Sequence, residues 1–324
     1  MIQLAELFFA GEPARLRLAR QAGITHAVMK LLPRTEGMEA SGYPALLRAV
    51  KAELDSAGLA FAGVESHPVP AEKIKLGLPG RDEEIENYIA MIRALAGAGV
   101  PMLCYNWMAG LGWYRTRVDA PARGGALVSE FDSDTARAQG PTEFGEISED
   151  AVWANLEYFL AAVLPVARQC GVRMALHPDD PPVSPLRGIG RILTSAESFR
   201  RVLAFSGSES NGIAFCQATF RLMGEDVEAL AREWRERIYF VHMRAVEGAR
   251  GRFRETFHDN RPAEFVRMLR VCHDAGFSGP LRPDHAPTLE GEANDRPGYA
   301  VGGKILAIGY LKGIMDALGI PYAR

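Results

Sequence analysis

The sequence lacks the features that mark several large classes of protein. Among its 324 residues there is no unbroken apolar run of the roughly eighteen that a membrane-spanning helix needs. Neither sign of charge dominates: 37 Lys and Arg face 40 Asp and Glu, for a net charge of −3. That balance leaves out the clustered basic footprint by which proteins hold nucleic acid or anionic membrane. Cysteine is scarce, with four residues, Cys104, Cys170, Cys216 and Cys272. They are dispersed, without a CxxC pair, so a disulfide framework is not indicated and reduced thiols are expected. No GxGxxG or P-loop pattern follows a strand-like segment, which removes the usual grounds for a nucleotide-dependent oxidoreductase. The first residues, Met1 to Glu6, have neither the basic stretch nor the apolar segment of a secretory signal. These absences together predict a cytoplasmic globular protein, a single domain of enzyme size.

What the sequence does contain is an alternation of short β-rich runs with helix-period stretches, sustained from end to end. The strand candidates are residues 7–9, 26–30, 61–65, 102–106, 174–177, 213–216, 238–242 and 280–284. Between them lie amphipathic segments such as "YPALLRAVKAELDSAG" from Tyr43 and "RDEEIENYIAMIRALAGAG" from Arg81. In the first, Leu46, Leu47, Val50 and Leu54 recur at helical spacing and Gly58 is a stop; the second opens with acids where a helix dipole favours them. Eight successive βα units predict a TIM (β/α)8 barrel formed as a single domain over 1–324. An open doubly wound sheet is the alternative, weakened by the missing glycine fingerprint. One long insertion, residues 107–148, is rich in Gly, Trp and Arg and shows no clear periodicity. It is expected to lie over the C-terminal face of the barrel as a functional lid or a disordered loop.

The last residues of the fifth to eighth strand candidates are His177, Cys216, His242 and Asp284. In a parallel barrel these ends converge, so the four side chains can meet at one ion. Each alone has an ordinary reading: a satisfied polar histidine, a small buried thiol, a turn aspartate. Their recurrence at four equivalent positions favours a shared metal. Two imidazoles, a thiolate and a carboxylate form a site of borderline softness that accepts Zn2+, Mn2+, Fe2+ or Co2+, a Lewis-acid centre able to bind a carboxylate and a hydroxyl together. Cys104, Cys170 and Cys272 read as core. His285, beside Asp284, can flank the same pocket and move protons, and Tyr299 precedes the last helix in a glycine-containing loop. The stretch "LHPDDPP" at 176–182 raises its own question. One of Asp179 and Asp180 would fix the free ring nitrogen of His177, or both are turn residues.

At these residues the sequence resembles the metal-dependent mannonate dehydratases, sugar-acid dehydratases on a xylose-isomerase-like TIM barrel. The resemblance is carried by "GVESHPVPAEKIKLG" (63–77), "IENYIAMIRALAGAGVPMLCYNWM" (85–108), "WYRT" (113–116), "MALHPDDPP" (174–182), "FC" (215–216), "VHMR" (241–244), "RFRETFH" (252–258), "RPDH" (282–285) and "PGY" (297–299). It implies a divalent ion, typically Mn2+ with Fe2+, Co2+ or Mg2+ as alternatives, on His177, Cys216, His242 and Asp284. It also implies catalytic roles for His285 and Tyr299. The implied reaction is loss of water from D-mannonate to give 2-keto-3-deoxy-D-gluconate, as in hexuronate degradation. Asn106, Arg115 and Arg244 are candidates to hold the acid's carboxylate and hydroxyls; for the arginines the ordinary alternative is a structural ion pair. A homo-oligomer, with a dimer first, is the expected assembly.

The chain also departs from the family's pattern. An early His-Ile-Pro-x-Gly-Glu-x-Trp stretch is not kept in "KLLPRTEGMEA", Ala245 stands where an Asn is usual, and Ala286 follows His285 in place of Gly. "FCQAT" replaces a glycine-containing segment, and Arg254 stands where His is frequent. The metal ligands are intact while parts of the substrate surroundings are altered. Two other readings stay open at this point: a metal-dependent isomerase or epimerase of the same barrel group, or a dehydratase for a different aldonate. A barrel that has lost its catalysis is disfavoured by the intact ligand set.

Overall fold

The computed structural model describes residues Met1–Arg324. Its strands, in chain order, are β1 (Gln3–Phe9), β2 (His26–Lys30), β3 (Ala60–Val64), β4 (Met102–Asn106), β5 (Arg117–Pro121) and β6 (Leu127–Asp132). They continue with β7 (Arg173–His177), β8 (Asn211–Cys216), β9 (Ile238–Met243), β10 (Val246–Ala249), β11 (Arg252–Glu255) and β12 (Pro280–Pro283). Eight of them close into a parallel barrel in the order β1-β12-β9-β8-β7-β4-β3-β2. All eight strand candidates of the sequence are present, and the first is longer than its apolar core indicated. No helix is long and apolar enough to cross a membrane.

Alternation along each strand sorts the side chains into two cores. The outward set packs against the surrounding helices in one cluster of 68 buried residues, Phe8, Met29, Leu103, Leu176, Phe215 and Val241 among them. The inward set is a smaller plug of 10 residues, in which small side chains (Ala5, Ala62, Ala175, Ala214) leave room for Met102, Tyr239 and Phe240. Cys104 belongs to this plug and Cys272 to the outer core, while Cys170 packs against the latter from its edge. Burial pushes the Cys104 and Cys272 thiols up, the latter to about 12.

The insertion after β4 corrects the expectation of a stretch without regular structure. Residues 117–121 and 127–132 are strands joined by a glycine turn, and a short helix, Ser133–Ala138, follows under the cap of Asp132. Their partners are distant in sequence: β10 and β11, which follow β9, complete an antiparallel sheet in the order β10-β11-β6-β5. Phe131 and Phe253 sit opposite one another in this sheet and are buried with Leu186, Ala218 and Val246. Two five- or six-residue strands carry too little alternation to register alone; the pairing that orders them is non-local.

Candidate metal centre and active site

The register of the barrel places the predicted ligands in one tier. Asn106 pairs with His177, Cys216 with His242, and His242 with Arg282, so that Asp284, just past β12, lies beside them. The ligand atoms of His177, Cys216, His242 and Asp284 all lie within 4.8 Å of one another. These four residues form a group that could hold a metal ion. His242 gives the decisive test of fit. Its ring is buried, and neither nitrogen has a hydrogen-bond partner. The nearest carboxylate oxygens, Asp284 Oδ2 at 3.8 Å and Glu65 Oε2 at 3.6 Å, are too far for one. Two buried nitrogens left unpaired are costly unless a ligand takes one of them.

The other donors are prepared in the same sense. His177 Nδ1 is 2.7 Å from the Pro178 carbonyl and donates to it, which leaves Nε2 free to face the group. The backbone carbonyl thus fixes the tautomer, and neither aspartate of the "HPDDPP" stretch does so. Burial pushes the His177 imidazole pKa down, which favours the neutral ring that a metal requires. The Cys216 sulfur accepts from Thr219 Oγ1 at 3.1 Å. Burial would raise the Asp284 carboxyl, but His285, Arg282, His242 and Arg244 around it hold it well below the usual carboxylate range.

The two aspartates have separate tasks. Asp179 is fully buried and accepts from Arg191 Nη1 at 3.1 Å and from the Leu193 amide at 2.8 Å, clamping the loop that follows His177. Asp180 accepts from Arg115 Nη2 at 2.8 Å and from Arg244 Nη1. These two guanidiniums, sought as substrate contacts in the sequence, have fully buried heads bonded to carboxylates behind the cavity wall. Burial would raise Asp180, but Arg115 and Arg244 reverse it and keep the carboxyl low. Asn106 does reach the cavity. Its carbonyl oxygen is 2.7 Å from His67 Nε2 and its side-chain oxygen accepts from the Met108 amide.

His285 and Tyr299 come together on the same cavity. Tyr299 Oη is 3.3 Å from His285 Nε2, and His285 Nδ1 is 2.7 Å from Glu255 Oε1. Burial would raise the Glu255 carboxyl, but His285 and Arg115 bring it down; a carboxylate only accepts, so the Nδ1 proton points at Glu255 and Nε2 faces the cavity. Burial, reinforced by Asp284, pushes the Tyr299 phenol well above its ordinary pKa. Gly298, at φ +85°, lets the backbone lie against the imidazole: a Cβ there would stand 2.8 Å from His285 Cδ2. Trp113 closes the other side, its ring centroid 5.0 Å from that of His285.

Several residues were not singled out from sequence. Arg282, fully buried, grips Glu65 through Nε at 2.8 Å and through Nη2, and also donates to Asp284 Oδ1 at 3.0 Å. Glu65, Glu255 and Arg282 lie in "GVESHP", "RFRETFH" and "RPDH", so the signal was their place beside the ligands. Trp113, Ser66 and Lys30 also line the cavity, whose volume is about 160 Å3. Trp113 and Ser66 stand in the quoted stretches "WYRT" and "GVESHP", but their own side chains gave no chemical signal there.

Known proteins resemble this chain over most of its length. The family model described as D-mannonate dehydratase (UxuA) matches residues 1–146 and 137–322. The mannonate dehydratase of Streptococcus agalactiae serotype Ia is 33% identical over 301 residues, covering 84% of this chain and 86% of that protein. Mannonate dehydratase 2 of Halalkalibacterium halodurans is 36% identical over 299 residues, covering 83% and 86%. The crystal structure of mannonate dehydratase from Streptococcus suis serotype 2 superposes with a TM-score of 0.85 at 31% identity, over 98% of this chain and 95% of that one. A xylose isomerase domain protein from Alicyclobacillus acidocaldarius shares the fold, with a TM-score of 0.59 at 17% identity over 98% and 99% of the two chains. On these grounds the chain belongs to the mannonate dehydratase family, on a xylose-isomerase-like TIM barrel.

Proposed function

We propose that the protein dehydrates D-mannonate to 2-keto-3-deoxy-D-gluconate and water, with a divalent ion, Mn2+ first, held by His177, Cys216, His242 and Asp284. The observation that carries the reading is the unpartnered, buried His242 among three other donors, on the same cavity as a histidine–tyrosine pair. An ion bound there would supply Lewis-acid polarisation of the acid's carboxylate, and so would acidify the proton on C2.

The chain's own residues divide the proton work. Glu255 holds the Nδ1 proton of His285 and so leaves Nε2 as the acceptor for the C2 proton. Tyr299, whose phenol burial keeps protonated, donates to the hydroxyl that leaves C3 as water. The enol so formed takes up a proton at C3 and becomes the ketone. Trp113 and Gly298 shape the walls around the imidazole, and Asn106 faces the hydroxyls. The fixed pairing of Arg115 and Arg244 with Asp180 gives them a positioning role, holding Asp180 and Glu255 in place.

The test is product formation and proton exchange with Mn2+-loaded protein. D-Mannonate should yield the 2-keto-3-deoxy acid. Tyr299→Phe should block product yet retain exchange of the C2 proton with solvent, while His285→Asn should lose both, by about 10²–10⁴-fold. Epimerisation of a keto-sugar with no 2-keto-3-deoxy product would overturn the reading. Exchange surviving in His285→Asn would reverse the assignment of acid and base.

A further inference from the structure

We infer that Thr219 is a positioning residue for the thiolate of the donor cluster: its hydroxyl, directed by Arg244, hydrogen-bonds the Cys216 sulfur and moderates how strongly that sulfur donates to a bound ion. The inference rests on the metal reading above and goes beyond it, from which residues hold the ion to how one of them is tuned. Thr219 is fully buried in the first turn of the helix Gln217–Met223, three residues after Cys216. At that spacing a side chain comes back over the residue that opens the turn. Its Oγ1 stands 3.1 Å from Cys216 Sγ on one side and 3.4 Å from Arg244 Nη2 on the other.

Donor chemistry decides which way the hydroxyl proton points. A guanidinium can only donate, so Arg244 occupies a lone pair of the hydroxyl and leaves its proton for the sulfur. Oγ1 has no third partner, and a buried hydroxyl has to place its proton. The other polar neighbour of Sγ, Asp284 Oδ2 at 4.0 Å, is a carboxylate that can only accept, so Thr219 is the one donor to the sulfur. Arg244, just past β9, is itself held firmly. Its guanidinium is bonded to Asp180 and lies 3.8 Å from Asp284 Oδ2, and its backbone carbonyl accepts from Gln217 Nε2. The first turn of the helix thus clasps Arg244 twice, by the main chain through Gln217 and by the side chain through Thr219. A thiolate is the softest and most electron-rich of the four donors, and unopposed donation would dilute the Lewis acidity of the ion. A hydroxyl proton on the sulfur draws part of that density away, and outer partners of this kind both orient a ligand and tune it.

The test loads the full-length protein with Co2+, whose thiolate-to-metal charge-transfer band reports on the sulfur directly and needs no substrate. Thr219→Val keeps the shape and removes the donor, while Thr219→Ser keeps the donor. Thr219→Val should move the band to lower energy and weaken Co2+ affinity by about 10- to 100-fold; Thr219→Ser should return both towards the parent. An unmoved band in Thr219→Val overturns the inference. So does a shift of equal size in Thr219→Ser, which marks packing and not the hydrogen bond. The parent supplies a check that needs no variant. After equilibration in D2O its cobalt–sulfur stretching frequency should shift, and a frequency unchanged from that in H2O overturns the inference. Bound cobalt without any thiolate band would remove Cys216 from the ligand set and overturn this inference and the metal reading together. The expected shifts in a protein that makes no 2-keto-3-deoxy acid from D-mannonate would leave Thr219 standing and sink the dehydratase reading alone.

Discussion

The two halves of the active site are built by different means. The donor wall comes from the ends of β7, β8 and β9 and the residue after β12, adjacent strands of one barrel whose register delivers His177, Cys216 and His242 to a common level. The wall around His285 depends on the four-stranded sheet. β11 supplies Glu255, and the insertion that forms β5 and β6 supplies Trp113 and Arg115. The sheet joins two segments more than a hundred residues apart, Arg252 facing Asp132 and Arg254 facing Glu130. The contrast separates two jobs: the barrel fixes where an ion would sit, and the sheet fixes how His285 is oriented.

Breaking the barrel side should have the largest effect. His177→Ala should abolish both metal retention and turnover, and chelation of the parent should do the same reversibly. Loosening the loop behind His177 comes next. Asp179→Ala leaves Arg191 buried and unpaired, at about 3–5 kcal/mol of stability, read by chemical denaturation. On the sheet side, Glu255→Gln should lower kcat by about 10- to 100-fold, because the amide can present either an acceptor or a donor to Nδ1. Bound metal should stay at the parent level, and a loss of metal in this variant would erase the distinction between the halves. The smallest change is Gly298→Ala. It forces a side chain at φ +85° against the His285 ring, costing about 1–3 kcal/mol and lowering kcat with bound metal unchanged.

The same contrast explains what could be read from sequence. The barrel was legible because each strand is a local apolar run with a helix to follow, and the candidate ligands stand at the ends of those runs. His285 and Tyr299 were legible through their neighbours "RPDH" and "PGY". The sheet was not, since Arg117–Pro121 and Leu127–Asp132 gain their order from partners that lie beyond β9. The tasks of Arg115, Arg244, Asp179 and Asp180 were hidden for a related reason. An arginine in "WYRT" looks the same whether it meets a substrate or Asp180 across 65 residues; only the packed structure distinguishes them.

The central claim is that four strand-end side chains share one divalent ion. Metal analysis of the Mn2+-loaded protein after exhaustive dialysis tests it most directly, with His177→Ala, Cys216→Ser, His242→Ala and Asp284→Asn measured alongside. The account predicts one ion per chain in the parent and a large loss of retained ion in every variant. A parent that retains no ion, or variants that hold it as the parent does, would contradict it.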